Sequence, residues 1–251
     1  MARASDKMVK RQNELVKRMT DGQLLQQLYF TQILLLTISI FLSMMLFNRL
    51  SDFQAIWRPE LAEILLIGGF TAVIVLIGDW IIMRTMPKEW YDDGGINEKM
   101  FRHRSLPHIF FLCLIISFTE ELLFRGVIQT HFGIWTASFI FAILHFRYLT
   151  KGLLFIMVIL ISLLLGFVYN WTGNLFVTVF AHFLIDLVFA IQIRMQYING
   201  GEKMSKKEEA ASTRASRQNN IDEYKTRTGS YPSRSEIHNK DKKNQSINIP
   251  L

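Results

Sequence analysis

The chain has 251 residues, 50% of them hydrophobic, a formal net charge of +7 and a single cysteine, Cys113. Its apolar residues are gathered into blocks too long for the core of a soluble domain, and one cysteine excludes both an intramolecular disulfide and a multi-cysteine metal site. The positive charge, once located along the chain, is a topology signal and implies no nucleic-acid partner.

Residues 1–25 precede the first apolar block. In "DKMVKRQNELVKRM" the spacing of Met8, Arg11, Leu15 and Arg18 fits a helix lying on the anionic inner leaflet or, equally, a solvated one. Six spans follow: Leu28 to Phe47, Ala62 to Met83, Ile109 to Thr130, Ile134 to Tyr148, Leu153 to Asn170 and Leu175 to Ile193. No short apolar run with a small-residue cleavage site opens the chain, so the first span is expected to be a retained helix. The expected fold is therefore all-α, a polytopic membrane helix bundle occupying residues 26–198. The connector "PKEWYDDGGINEKMFRHRSLP" combines a Gly-Gly turn, aromatics and balanced charge, which suits a structured interfacial segment.

Lysine and arginine alternate along the connections. Six precede the first span, two lie in 48–61, five in 84–108, none around 131–133, two at Arg147 and Lys151, none around 171–174, and twelve follow from Arg194 onward. The positive-inside rule then puts both termini in the cytoplasm. From Asn199 the chain turns polar, and residues 199–251 are expected to form a disordered cytoplasmic tail.

Ionisable side chains inside a bilayer are costly and are retained for a reason. The third span carries Glu120, Glu121 and Arg125, the fourth Phe141 and His145, and the sixth His182 and Asp186. Residues four apart share a helix face, so Glu121 lies with Arg125, Phe141 with His145, and His182 with Asp186. Glu120 is turned by about 100° from Glu121. Glu121 and Arg125 can satisfy one another as a buried ion pair, which leaves Glu120 to meet the histidines. Glu120 and His182 fall at similar depths. His145 lies two residues before Arg147, so a short, sunken fourth helix and a water-filled cavity open to the cytoplasm are expected. His103, His108 and His131, in loops or near helix ends, read as structural. Asp79 and Glu63, near the ends of the second span, read as reaching water, and Cys113 as a small apolar filler.

In order, "EELLFR", "FAILH" and "HFLID" resemble the EExxxR, FxxxH and Hxxx(N/D) motifs of the CPBP (CAAX protease and bacteriocin-processing, or Abi) family, to which the Rce1 CAAX endopeptidases belong. The resemblance covers about residues 101–190, and the flanking "GGINEKMFR" and "GVIQ" look like bacterial members. It implies an intramembrane glutamic endopeptidase with a site between the third, fourth and sixth helices. Glu120 matches the base that activates water and His145 its assistant; His182 and Asp186 match the oxyanion-stabilising pair. Glu121 and Arg125 match supporting residues, with Phe141 beside them. A buried carboxylate and histidine donors suit peptide hydrolysis. The resemblance implies a site with no metal and no cofactor. The expected partners are a membrane-embedded or membrane-adjacent peptide or protein substrate and the lipid bilayer itself.

Three alternatives use the same residues. Two histidines and a carboxylate suffice for a catalytic zinc. A non-catalytic scaffold or bacteriocin-immunity protein is the second, although the motif residues such proteins lose are all present here. A proton-coupled transporter is the third, with no paired Gly/Pro-broken spans to favour it.

Overall fold

The structure is a computed structural model that describes residues 18–145, 148, 151–228 and 230. The expected helix in residues 1–25 lies almost wholly outside the described residues, as do Arg147 and the tail from 231 to 251. All regular structure described is helical. The helices are α1 (Asp21–Leu46), α2 (Leu50–Ala55), α3 (Leu61–Thr85), α4 (Lys88–Tyr91), α5 (Ile96–Phe101), α6 (Leu106–Glu121), α7 (Thr130–Leu144), α8 (Gly152–Thr172) and α9 (Leu175–Thr228). Two stretches widen into π-helix: Ile64–Gly68 within α3, and Leu122–Gln129 joining α6 to α7.

Among the described residues four helices are long and apolar enough to cross a bilayer: Asp21–Leu46, Leu61–Thr85, Gly152–Thr172 and Leu175–Gly201. The expected third and fourth spans are not among them. A crossing helix needs about 20 apolar residues, whereas α6 stops after 16 and gives way to an eight-residue π segment that carries Arg125. α7 has 15 residues and is broken at Gly133, whose φ of 81° and ψ of 168° only glycine adopts readily.

The chain divides into two compact units, Met1–Tyr197 and Ile198–Leu251. In the first, the centre is the π segment: all eight residues of Leu122–Gln129 are buried. Leu123, Phe124 and Ile128 pack with Leu35, Ala137 and Phe141, while Leu122 packs with Ile56, Tyr169, Leu175 and Val179. Cys113 is buried in a third cluster with Ile109, Leu112 and Phe183, as its reading as an apolar filler anticipated. Glycine sets how closely the helices approach. A Cβ on Gly68 would lie 2.8 Å from the Val177 carbonyl oxygen of α9, and one on Gly126 would lie 3.1 Å from Leu175. Large apolar side chains such as Phe30, Ile33, Phe41, Leu66 and Phe70 stay exposed along α1 and α3, which suits faces solvated by lipid.

Polar contacts gather the connections into two groups. Arg102 pairs with Asp21 at 3.1 Å, Arg104 Nη2 donates to the Asp21 carbonyl oxygen, Lys151 Nζ donates to that of Glu89, and the His103 and Tyr197 rings pack edge to face. These join the start of α1 to the connectors 86–105 and 148–151. Elsewhere Arg58 Nη1 donates to the Thr172 carbonyl oxygen, Asn174 Nδ2 donates to Glu63, the Leu175 amide donates to Ile56, and Phe47 packs against His131. The start of α1 thus meets the connector 86–105 and, through it, Lys151, while the connections around Phe47 to Glu63, His131 and Thr172 to Asn174 meet one another. His108 bonds Tyr29, which completes the structural roles of the three histidines set aside above.

The second unit is helical over most of its described residues. Residues 199–228, expected to be without structure, continue helical to Thr228. Lys, Glu, Ala, Arg and Gln are strong helix formers, and Gln218 bonds Asp222 one turn on. Low apolar content forbids a packed core, and it leaves a solvated helix open.

Replacing Gly68 with leucine is expected to lower stability by about 1–3 kcal/mol, because the side chain must displace the α9 backbone. The measurement is the thermal midpoint of the purified protein in detergent; an unchanged midpoint would mean that the helices separate there without cost.

Candidate active site

Glu121 and Arg125 stand one turn apart where α6 passes into the π segment. Both are buried, at 0% and 1% side-chain exposure, and Arg125 Nε lies 3.3 Å from Glu121 Oε2. Three further groups hold the arginine. Its Nη2 donates to the Ser162 carbonyl oxygen at 3.0 Å and lies 3.3 Å from Ser162 Oγ, and its guanidinium stacks 5.1 Å from the centre of the Phe141 ring. Such a cation over an aromatic face gains when it is desolvated.

Glu121 also reaches α9. His182 Nδ1 lies 3.0 Å from Glu121 Oε1, and Thr178, one turn before His182, is buried with its hydroxyl donating to the Leu175 carbonyl oxygen. His182 Nε2 lies 3.6 Å from Asp186 Oδ2, beyond a normal hydrogen bond. A neutral imidazole donates from one nitrogen only. With Nδ1 held by Glu121, that nitrogen is the natural donor of the neutral ring, and Nε2 is the loosely held one.

The direct partner of His182 therefore differs from the expectation, which left the histidines to Glu120. Glu121 serves the arginine and the histidine together because its two oxygens point to different helices. Glu120, turned away on α6, is half-buried and makes no hydrogen bond among the described residues, yet lies in the electrostatic field of His182, Asp186, Glu121 and Arg125. His145 closes α7. Its Nδ1 lies 2.9 Å from the Phe141 carbonyl oxygen and its ring stacks on that of Phe141 at 4.3 Å. Donation from Nδ1 to that carbonyl makes Nε2 the basic nitrogen of the neutral ring. Phe141 thus touches both the histidine and the arginine.

Chemically the arrangement separates Glu120, a carboxylate without a hydrogen-bonding partner among the described residues, from Glu121, which is held by an ion pair to Arg125 and a hydrogen bond with His182. The first can take a proton and the second can hold a donor in place. Sequence reasoning missed Ser162, Thr178, Gln129 and Asn170. Their signal was present as spacing: Thr178 is four before His182, Gln129 four after Arg125, and Ser162, Gly166 and Asn170 recur every fourth residue on α8. Among the described residues no group of three His, Cys, Asp or Glu side chains is placed to hold a metal ion, so the zinc alternative finds no ligand set there.

Residues 102–188, which contain all of these groups, match the Rce1-like family model, described as type II CAAX prenyl endopeptidase Rce1-like. The chain is also 53% identical over 168 residues to an uncharacterised protein, YpbD, of Bacillus subtilis (strain 168), a match covering 67% of this chain and 89% of that one. No solved structure matches it. The chain belongs to the Rce1-like family, a family of protease type, and its long apolar helices make it a membrane protein.

Glu121→Gln is expected to destabilise the protein by about 3–5 kcal/mol, because Arg125 is left buried without its countercharge. Thermal unfolding in detergent checks this. A loss below about 1 kcal/mol would mean that water reaches the guanidinium, as at an exposed pair.

Proposed function

We propose that this protein is an intramembrane glutamic endopeptidase that hydrolyses peptide bonds in membrane-embedded or membrane-adjacent substrates without a metal. The observation that carries the reading is the contrast between the two neighbouring glutamates: Glu121 is committed to Arg125 and His182, while Glu120 makes no hydrogen bond among the described residues and faces the same histidine's field. In this mechanism Glu120 takes a proton from water with help from His145, and the oxygen adds to the scissile carbonyl carbon. As an imidazolium protonated on both nitrogens, His182 donates from Nε2, loosely held by Asp186, to the developing oxyanion, and Glu121 on Nδ1 keeps the ring from turning away. Glu120 then returns its proton to the leaving amine. Family membership supports the peptidase class.

The proposal includes six crossings with both termini in the cytoplasm. It is supported by the two groups of connections and by their lysine and arginine content. The connections 131–133 and 171–174, which carry no lysine or arginine, both contact the segment from Phe47 to Glu63.

Purified protein incubated with membrane peptides is expected to cleave them equally well after exhaustive chelation, whereas Glu120→Gln loses cleavage but keeps its folded midpoint. The amide retains the shape and cannot accept the proton. Unaltered turnover in Glu120→Gln sinks the mechanism, and activity restored by zinc after chelation would return the zinc alternative.

Topology has its own test. Reporters fused at Leu251 and within Asp92–Asn97 are expected in the cytoplasm and one at Gln54 outside. A Leu251 reporter on the outer face would contradict six crossings.

A further inference from the structure

Gln129 ends the π segment, two turns beyond Glu121, and is 4% exposed. Its Nε2 donates to the Gly166 carbonyl oxygen at 2.6 Å and to Asn170 Oδ1 at 2.8 Å, both on α8. A backbone carbonyl only accepts, so this contact fixes which way the amide points. Gly166 permits the approach: a Cβ there would lie 2.7 Å from Ile134 Cγ1 and 2.9 Å from Gln129 Oε1.

One turn earlier on both elements, Arg125 donates to the Ser162 carbonyl oxygen. Two rungs at four-residue spacing therefore join the π segment to α8. The segment needs such a brace, because π-helix is rare and persists mainly as short insertions at functional sites. Relaxation to α-helix would remove the extra residue per turn and rotate one flank against the other by about 100°. Arg125 could not then keep both Glu121 and Ser162.

We propose that Gln129 is a positioning residue: clamped to Gly166 and Asn170, it holds the π segment in the register that lets Arg125 grip Glu121, and through Glu121 it sets the orientation of His182. Its consequence for catalysis rests on the peptidase reading above, whereas the clamp itself does not.

The test uses the full chain in lipid bilayers with 15N-labelled histidine, read by solid-state NMR, the His182 signals being assigned with His182→Gln. Gln129→Met is expected to shift the ring signals of His182 and to leave those of His103, in the distant connector, in place. Asn170→Asp, which still accepts from Gln129, keeps the wild-type spectrum, and Asn170→Leu moves it as Gln129→Met does. With a cleavable membrane peptide, Gln129→Met lowers kcat about tenfold, the scale of one lost buried hydrogen bond, and leaves KM unchanged.

Unmoved His182 signals in Gln129→Met overturn the proposal, and so does a shift spread over all six histidines, which would report general loosening. Should Gln129→Met not fold, Gly166→Ala displaces the amide by its added Cβ and is expected to give the same His182 shift; its absence is equally fatal. A wild type without peptidase activity would remove the peptidase reading alone, and the histidine spectrum would still decide on the clamp.

Discussion

The buried pair of Glu121 and Arg125 is the constraint to which the rest of the site answers. Neither charge can be left alone at 0% and 1% exposure, since the uncompensated partner would bear a desolvation cost of several kcal/mol. The pair by itself leaves donors and acceptors over. Ser162 and Phe141 take up the guanidinium, and His182 takes up the carboxylate. Four elements, α6 with its π extension, α7, α8 and α9, are thereby drawn to one point by polar groups. Hydrophobic burial could not select that point in a medium already apolar.

Close approach of these elements depends on small residues. Gly68 lets α3 lie on the α9 backbone, Gly126 admits Leu175 and Ile56, and Gly166 admits Ile134 and the Gln129 amide. Each replaces a side chain with direct backbone contact, the usual means of packing helices where lipid offers no hydrophobic drive. The polar centre and the glycine contacts are complementary: the first selects which faces meet, and the second lets them meet closely enough for hydrogen bonds of about 3 Å.

Polar contacts at the two ends limit sliding along the bundle axis. Asn174 accepts from the Phe176 amide and donates to Glu63, so one residue both caps the start of α9 and ties it to α3. At the other end Asp21 in the first turn of α1 is held by Arg102 through two oxygens. His182 lies seven residues after the start of α9, so the Asn174 anchor helps set its height opposite Glu121.

The sequence by itself determined the helical class, the membrane and the alternation of basic connections, and it singled out the candidate residues of the site, because each is written in local composition or in spacing at three and four. Cost made the site legible: charges at Glu120, Glu121, Arg125, His182 and Asp186 inside apolar blocks demand a cause. At the tail low hydrophobicity and helix propensity coexist, and the described residues are helical to Thr228. Tertiary structure alone decided which glutamate His182 bonds. Rotation about a helix is readable from its period, but the partner depends on how α6 and α9 face one another, on the widening to π-helix over Leu122–Gln129, and on which oxygen Arg125 leaves available. Those are properties of packed helices, and no single span carries them.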